Sequence, residues 1–196
     1  MIGIVDYGAG NIFSLQSAIK RNRISCGIIQ RPEDFQLYTS FIVPGVGHAR
    51  HAMEQLESRG LLHELKATTK PVLGVCLGMQ LLTLFSEESS SNLLGHIPLN
   101  TLGFKGKIKR KVPHMGWNIV DQKKSSQLFK DVPNNSYFYF VHSYFVEVHE
   151  SYTTSISEHE VEFSSSIEKD NFFGVQFHPE KSGALGEQLL VNFSKL

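Results

Sequence analysis

Cysteine is scarce. The chain carries two, Cys26 and Cys76, in 196 residues, too few for a disulfide framework and in keeping with a reducing, cytoplasmic setting. An excess of charge of one sign is also missing. Nineteen Lys and Arg balance nineteen Asp and Glu, so no net field draws the chain to nucleic acid or to an anionic membrane. No apolar run reaches the roughly 20 residues of a membrane span. The opening MIGIV ends at Asp6 with no basic leader and no small-residue cleavage pattern, and reads as a strand. Neither cysteine has a C-x-x-C partner, and no H-x-x-x-H pair stands on an apolar-faced helix near Cys76. No metal site is therefore expected, and nothing calls for a cofactor. Repeats, low-complexity tracts and linkers are lacking too, and a chain of this length with 41% hydrophobic residues suits one domain over 1–196.

What the first half does hold is alternation. MIGIV, ISCGIIQ, SFIV and PVLGV are short apolar runs that predict strands, separated by the helical periodicities of NIFSLQSAIKRN, HAMEQLESRG and LLHELKATT. Such alternation predicts an α/β fold with a central, mostly parallel sheet, helices on both faces and right-handed crossovers. After about residue 88 the pattern changes. Residues 105–112, 117–120, 137–148 and 152–167 read as strands without crossover helices, which predicts added antiparallel strands and a smaller antiparallel sheet, closed by a helix over GALGEQLLVNF. KGKIKRKV packs five basic residues into eight; a solvated strand face is the plain reading, an anionic partner surface the alternative.

Chemistry concentrates in PVLGVCLGMQLL, residues 71–82. Cys76 sits between a buried strand and a helix expected over 77–84, flanked at two residues on either side by Gly74 and Gly78, where a side chain would collide in a sharp reversal. This is a G-x-C-x-G form of the nucleophile elbow. A lone cysteine is more often a small buried apolar residue, and Cys26 is read that way, but a helix N-terminus favours a reactive thiolate at Cys76.

Two further segments supply partners. In NFFGVQFHPEKSG, Pro179 keeps His178 extended, so that Glu180 can accept its Nδ1–H and leave Nε2 as a base. PGVG, residues 44–47, is a glycine-flanked loop able to turn backbone N–H groups toward an oxyanion; Val46 and Leu77 are the expected donors. His48, Arg50 and His51 in HARHAM read as surface residues, and Asn11 as a helix N-cap.

With these three elements in view the chain resembles the class I, triad-type glutamine amidotransferases. G-V-C-L-G-M-Q matches the family's nucleophile segment, Q-F-H-P-E its His-Glu segment and P-G-V-G its oxyanion strand. D-Y-G-A-G-N, S-E-E-S, V-P-H-M-G-W-N and Y-F-V-H-S-Y extend the likeness over nearly the whole chain, toward the glutaminase branch that serves histidine biosynthesis. The resemblance implies a flavodoxin-like sheet in which Cys76 attacks glutamine, His178 protonates the departing ammonia and Glu180 orients His178. It implies that Gln80, Glu88, loop glycines Gly45 and Gly47, and the backbone of His142, Ser143 and Tyr144 hold the substrate. It also implies a heterodimer with a barrel-shaped cyclase, which consumes the ammonia to make imidazole glycerol phosphate and aminoimidazole carboxamide ribotide, with Asn11, Trp117, Asn118 and Lys181 facing that partner. Alternatives are a paralogous glutaminase feeding another synthase, a non-enzymatic redox or chaperone relative, and an esterase-like hydrolase.

Overall fold

Segments that are apolar on both faces become the central strands, because only a strand covered on both sides hides them from water. The computed structural model describes residues 1–196, the side chain of Ser89 excepted. Its first half comprises β1 (Ile2–Val5), α1 (Ile12–Arg21), β2 (Cys26–Ile29), β3 (Ser40–Val43), α2 (Ala49–Ser58), α3 (Leu61–Ala67), β4 (Val72–Val75) and α4 (Leu77–Leu81). The second half comprises β5 (Phe85–Ser86), β6 (Ser91–Asn92), β7 (Asn100–Gly103), β8 (His114–Gln122), β9 (Ser136–His142), β10 (Tyr144–Val146), β11 (Thr153–Glu158), β12 (Glu162–Lys169), β13 (Phe172–Val175) and α5 (Gly183–Phe193).

Strands β2-β1-β3-β4-β13 lie parallel in that order, and the sheet continues through β12, β10, β7, β5 and β6. The expected smaller antiparallel sheet is the β8–β9 ribbon, joined to the main sheet through β11, which pairs with both β8 and β12. Alternate strand residues feed two cores. Ile2, Ile4, Ile42, Leu73 and Val75 pack with Leu15 and Ile19 of α1 and Leu189, Leu190 and Phe193 of α5. Val5, Val43 and Val72 pack with Ala52 and Leu56 of α2 and Leu61 and Leu65 of α3. Among the described residues no helix is long and apolar enough to cross a membrane.

Four expectations need correction. Residues 105–112 form a loop, not a strand. Gly106 turns the chain at φ +84°, and the N–H groups of Lys109 and Arg110 donate to Glu160 Oε2, at 2.5 and 3.1 Å, instead of to a neighbouring strand. The helix expected over 77–84 stops at Leu81. There Thr83 Oγ1 donates to the Gln80 carbonyl at 2.8 Å and Leu84 N turns to Leu99 O, which diverts the chain toward β5. The strand expected over 137–148 is broken at Ser143 into β9 and β10. The one expected over 152–167 folds back as the antiparallel pair β11 and β12, with Glu160 at φ 61° in the turn between them.

Of the glycines, the one with least room for a side chain lies where α4 meets the strands beneath it. A Cβ on Gly78 would stand 1.8 Å from the Val43 carbonyl oxygen, and one on Gly74 would stand 2.5 Å from the Gly78 backbone. Gly78→Ala should therefore cost upward of about 2 kcal/mol in urea unfolding, since neither obstacle is a side chain that can swing away. Gly106→Ala, with open space around it, should cost only about 1 kcal/mol, for its positive φ. Equal losses would show that the α4 contact is softer than described.

Candidate active site

Three adjacent parallel strands deliver the chemistry to one edge of the sheet. β3 runs into Pro44-Gly45-Val46-Gly47, β4 ends at Cys76, and β13 continues toward His178. β4 and β13 are in register at Val75 and Val175, and Cys76 N donates to Val175 O at 2.8 Å. Ligands gather beyond the carboxyl ends of such strands. Cys76 holds φ 55° and ψ −108°, a conformation that costs about 1–3 kcal/mol and that tight surroundings must enforce. The absence of Cβ atoms at Gly74 and Gly78 lets α4 begin directly at the thiol. Leu77 N–H, in the first turn, has no partner within the helix.

His178 reaches the thiol from a short turn over Pro179–Lys181. Its N–H donates to Tyr139 O at 2.9 Å, while Ser182 Oγ donates to His178 O and accepts from Tyr139 N, tying this turn to β9. The Nδ1 atom lies 2.9 Å from Glu180 Oε1, and both side chains are only 4% exposed. Burial opposes an imidazolium here, but the Cys76 sulfur and the Glu180 carboxylate outweigh it and lift the His178 pKa to about 10. Nε2 is buried with no hydrogen-bond partner among the described residues, so the sulfur acts on it by proximity. That unpaired nitrogen is where a proton in transit would sit. Because the folded pKa is raised, the stability it contributes is complete below about pH 6.5 and is lost as pH rises through 10.

Beside Cys76 opens a cavity of about 340 Å³, lined by Val46, Gly47, Leu77, Gln80, Glu88, Pro113, Val141, His142, Ser143 and Tyr144. Its size falls in the range of small-molecule sites. Gly45 lies elsewhere, on a smaller neighbouring cavity shared with Asn11, His178 and Glu180. Glu88, in the short turn between β5 and β6, places its carboxylate at the N-terminus of α2, where Oε2 accepts Ala49 N–H at 2.6 Å. Gln80 Nε2 donates to Tyr144 O at 2.9 Å and Gln176 Oε1 at 3.1 Å, so its amide is oriented from behind.

Two polar residues at the site carry no role in the sequence reading. Gln176 Nε2 points at Cys76 Sγ from 3.7 Å, a donor suited to a thiolate. Its signal was a polar residue inside the buried run FGVQF. Tyr7 is buried under the loop, where its hydroxyl donates to Pro44 O at 2.6 Å. Burial first, and the charge of Cys76 second, push its pKa far up, so it stays a donor.

Of the residues expected to face a partner, Trp117 is 55% exposed and sits edge-on to Tyr139, whose ring Lys181 Nζ approaches to 5.9 Å. Met115 and Tyr137, 64% and 56% exposed, share the same outer face of β8–β9. Asn11 caps α1 by accepting Ser14 N–H at 3.1 Å. The Asn118 amide turns inward instead, donating to Glu158 O at 2.9 Å.

A cysteine at an elbow, an imidazole oriented by a carboxylate, and a pocket beside them can cleave an amide through a thioester. The comparisons agree with that class of site. The sequence pattern described as "Glutamine amidotransferase class-I" matches residues 3–195, and the chain belongs to this family. Full-length relatives carry a narrower name. "Imidazole glycerol phosphate synthase subunit HisH" of Pectobacterium atrosepticum is 44% identical over 98% of both chains. The HisH subunit of Escherichia coli strain K12 is 42% identical over 98% of both chains, and that of Bacteroides fragilis 41% over 100% of this chain and 99% of its own. Among solved structures, a glutamine amidotransferase superposes with a TM-score of 0.76 at 14% identity, covering 100% of this chain and 99% of its own. The structure of PurLQS from Thermotoga maritima gives 0.72 at 16% identity, covering 98% of this chain and 96% of its own. Those two likenesses establish the fold.

Replacing Glu180 by Gln removes the carboxylate that supports the imidazolium. The His178 pKa should fall from about 10 toward neutrality, as read by NMR titration of the imidazole. An unchanged pKa would show that Glu180 does not act on His178.

Proposed function

We propose that this chain hydrolyses glutamine to glutamate and ammonia and delivers the ammonia to the cyclase subunit of an imidazole glycerol phosphate synthase, a barrel-shaped partner in the cytoplasm. The single observation that carries the glutaminase half is the series Cys76 Sγ, His178 and Glu180 at one sheet edge, with the Glu88-bearing pocket alongside. The names of the full-length relatives support the pathway.

In this reading the glutamine side chain enters beside Cys76, with its ammonium near Glu88 and its carbonyl oxygen toward the N–H groups of Leu77 and Val46. The thiolate attacks the amide carbon, and the negative oxygen that forms is held by those donors. As the C–N bond breaks, His178 gives its proton to the departing nitrogen and ammonia leaves. A γ-glutamyl thioester remains on Cys76. His178, now neutral and held as the Nδ1–H tautomer by Glu180, takes a proton from water. The resulting attack expels the Cys76 thiolate, releases glutamate and restores the thiolate–imidazolium pair. Each oxyanion donor typically accounts for about 10²–10³ in rate.

The exposed Met115, Trp117 and Tyr137 surface suits a partner, since contiguous aromatic and apolar side chains on an outer sheet face are disfavoured in water. The redox-sensor alternative leaves Glu180 without purpose, because a sensor thiol needs no oriented base.

Cys76→Ser should abolish glutamine-dependent synthesis by the reconstituted complex while ammonium salts still drive it. Retained glutaminase activity would overturn the mechanism, and a wild-type complex that makes no imidazole glycerol phosphate from glutamine or ammonium would favour the paralogue with another acceptor. Trp117→Ala should weaken association with the cyclase by at least about tenfold in titration calorimetry, as for an interface aromatic. Unchanged affinity would remove Trp117 from the interface.

A further inference from the structure

Two buried imidazoles, His142 in the lining of the glutamine pocket and His114 behind it, take no part in the bond-making and bond-breaking above. His114 opens β8 and His142 closes β9, directly opposite each other in the register. His142 Nδ1 lies 2.8 Å from the Tyr144 carbonyl oxygen. A carbonyl only accepts, so Nδ1 carries the proton and Nε2 is left as an acceptor. His114 Nδ1 lies 2.9 Å from that Nε2 and must therefore donate to it. His114 Nε2, in turn, faces Asn118 Nδ2 at 3.3 Å. The Asn118 amide is held the same way round at its other end, because its Oδ1 accepts Ile119 N–H at 2.8 Å. Every donor thus points in one direction, from Asn118 through His114 and His142 to the Tyr144 carbonyl.

The neutral state required by this polarity is the one the surroundings favour. Burial, above all, depresses the His142 pKa to about 3. Burial and the neighbouring His159 and Arg110 depress that of His114 to about 4. Ser143 interrupts the strand just before Tyr144, and side chains bind the Tyr144 carbonyl from two sides: His142 Nδ1 and the Nε2 of Gln80. Gln80 lines the pocket and also meets Gln176, whose amide faces the Cys76 sulfur.

We propose that His142, backed by His114, is a positioning residue: a neutral pair in one fixed tautomer that holds the Tyr144 carbonyl and, through it, the Gln80 wall of the pocket. This rests on the glutaminase reading. The pair touches no reacting atom, so its loss should appear in substrate binding more than in turnover.

The test uses the complex with the cyclase and three forms of the glutaminase chain. His142→Phe keeps an aromatic ring and removes both hydrogen bonds; the KM for glutamine should rise at least about tenfold, the worth of one buried hydrogen bond, with kcat changed much less. His142→Asn retains a donor where Nδ1 stood and should recover most of that KM. An unchanged KM in the Phe variant, or an Asn variant no better than Phe, would overturn the proposal. Nitrogen-15 NMR of the wild-type complex reads the network without any turnover, and decides the matter should the Phe variant not fold. Neutral Nδ1–H tautomers at both histidines support it. An Nε2–H tautomer at His142, or an imidazolium at either residue near pH 7, refutes it. Absence of glutaminase activity in the wild-type complex would instead refute the functional reading, leaving the NMR result to judge the pair.

Discussion

The rest of the site depends on one steric contact, the close approach of α4 to the ends of β3 and β4. Gly78 lies against the Val43 carbonyl and Gly74 against the Gly78 backbone, with no room for a Cβ at either place. Because α4 sits so low, the chain must reverse within a single residue, and that residue is Cys76 at φ 55°. The reversal sets the sulfur at the start of a helix and beside the glycine-rich loop after β3. Removing the contact would relax the turn, move Leu77 N–H away from the pocket and separate the thiol from the residues that act on it. Local strain of this kind persists only where surrounding packing enforces it.

Histidine is used in two opposite ways within this small region. His178 is buried, yet two acidic neighbours, a thiol and a carboxylate, raise its pKa. His142 and His114 are buried without an acid beside them, and theirs fall far below neutrality. Burial alone cannot distinguish an acid–base group from a fixed hydrogen-bond connector; the neighbours do. One imidazole is thereby kept protonated near neutrality and two are kept neutral within the same small region.

How far the sequence disclosed this differs by the range of the interaction. The elbow was legible because its requirements are local: two glycines around a cysteine between an apolar run and a helix. The His178–Glu180 pair was legible for the same reason, being two residues apart around a proline. The parallel half of the sheet followed from alternation of apolar runs with helical periodicity. The His114–His142 pair was not legible, since it exists only through the register of β8 against β9, which the sequence does not announce. KGKIKRKV shows the opposite failure. Its alternation looked like a strand, but Gly106 and the Glu160 carboxylate hold it as a loop. Gln176 stands only two residues before His178, and its role emerges only once β13 lies beside β4.

The outer face of β8–β9 gives the same strands a second task. Their inward residues build the wall behind the pocket, while Met115, Trp117 and Tyr137 stand in water on the other side. A partner seated on that face would lie on the other side of the same strands from His142, which lines the cavity beside Cys76. The most direct test of the central claim is to treat the complex with an electrophilic glutamine analogue and map the modified peptide by mass spectrometry. The account predicts one label, on Cys76, with excess glutamine protecting against it. A label on Cys26, or modification of Cys76 that glutamine does not slow, would contradict it.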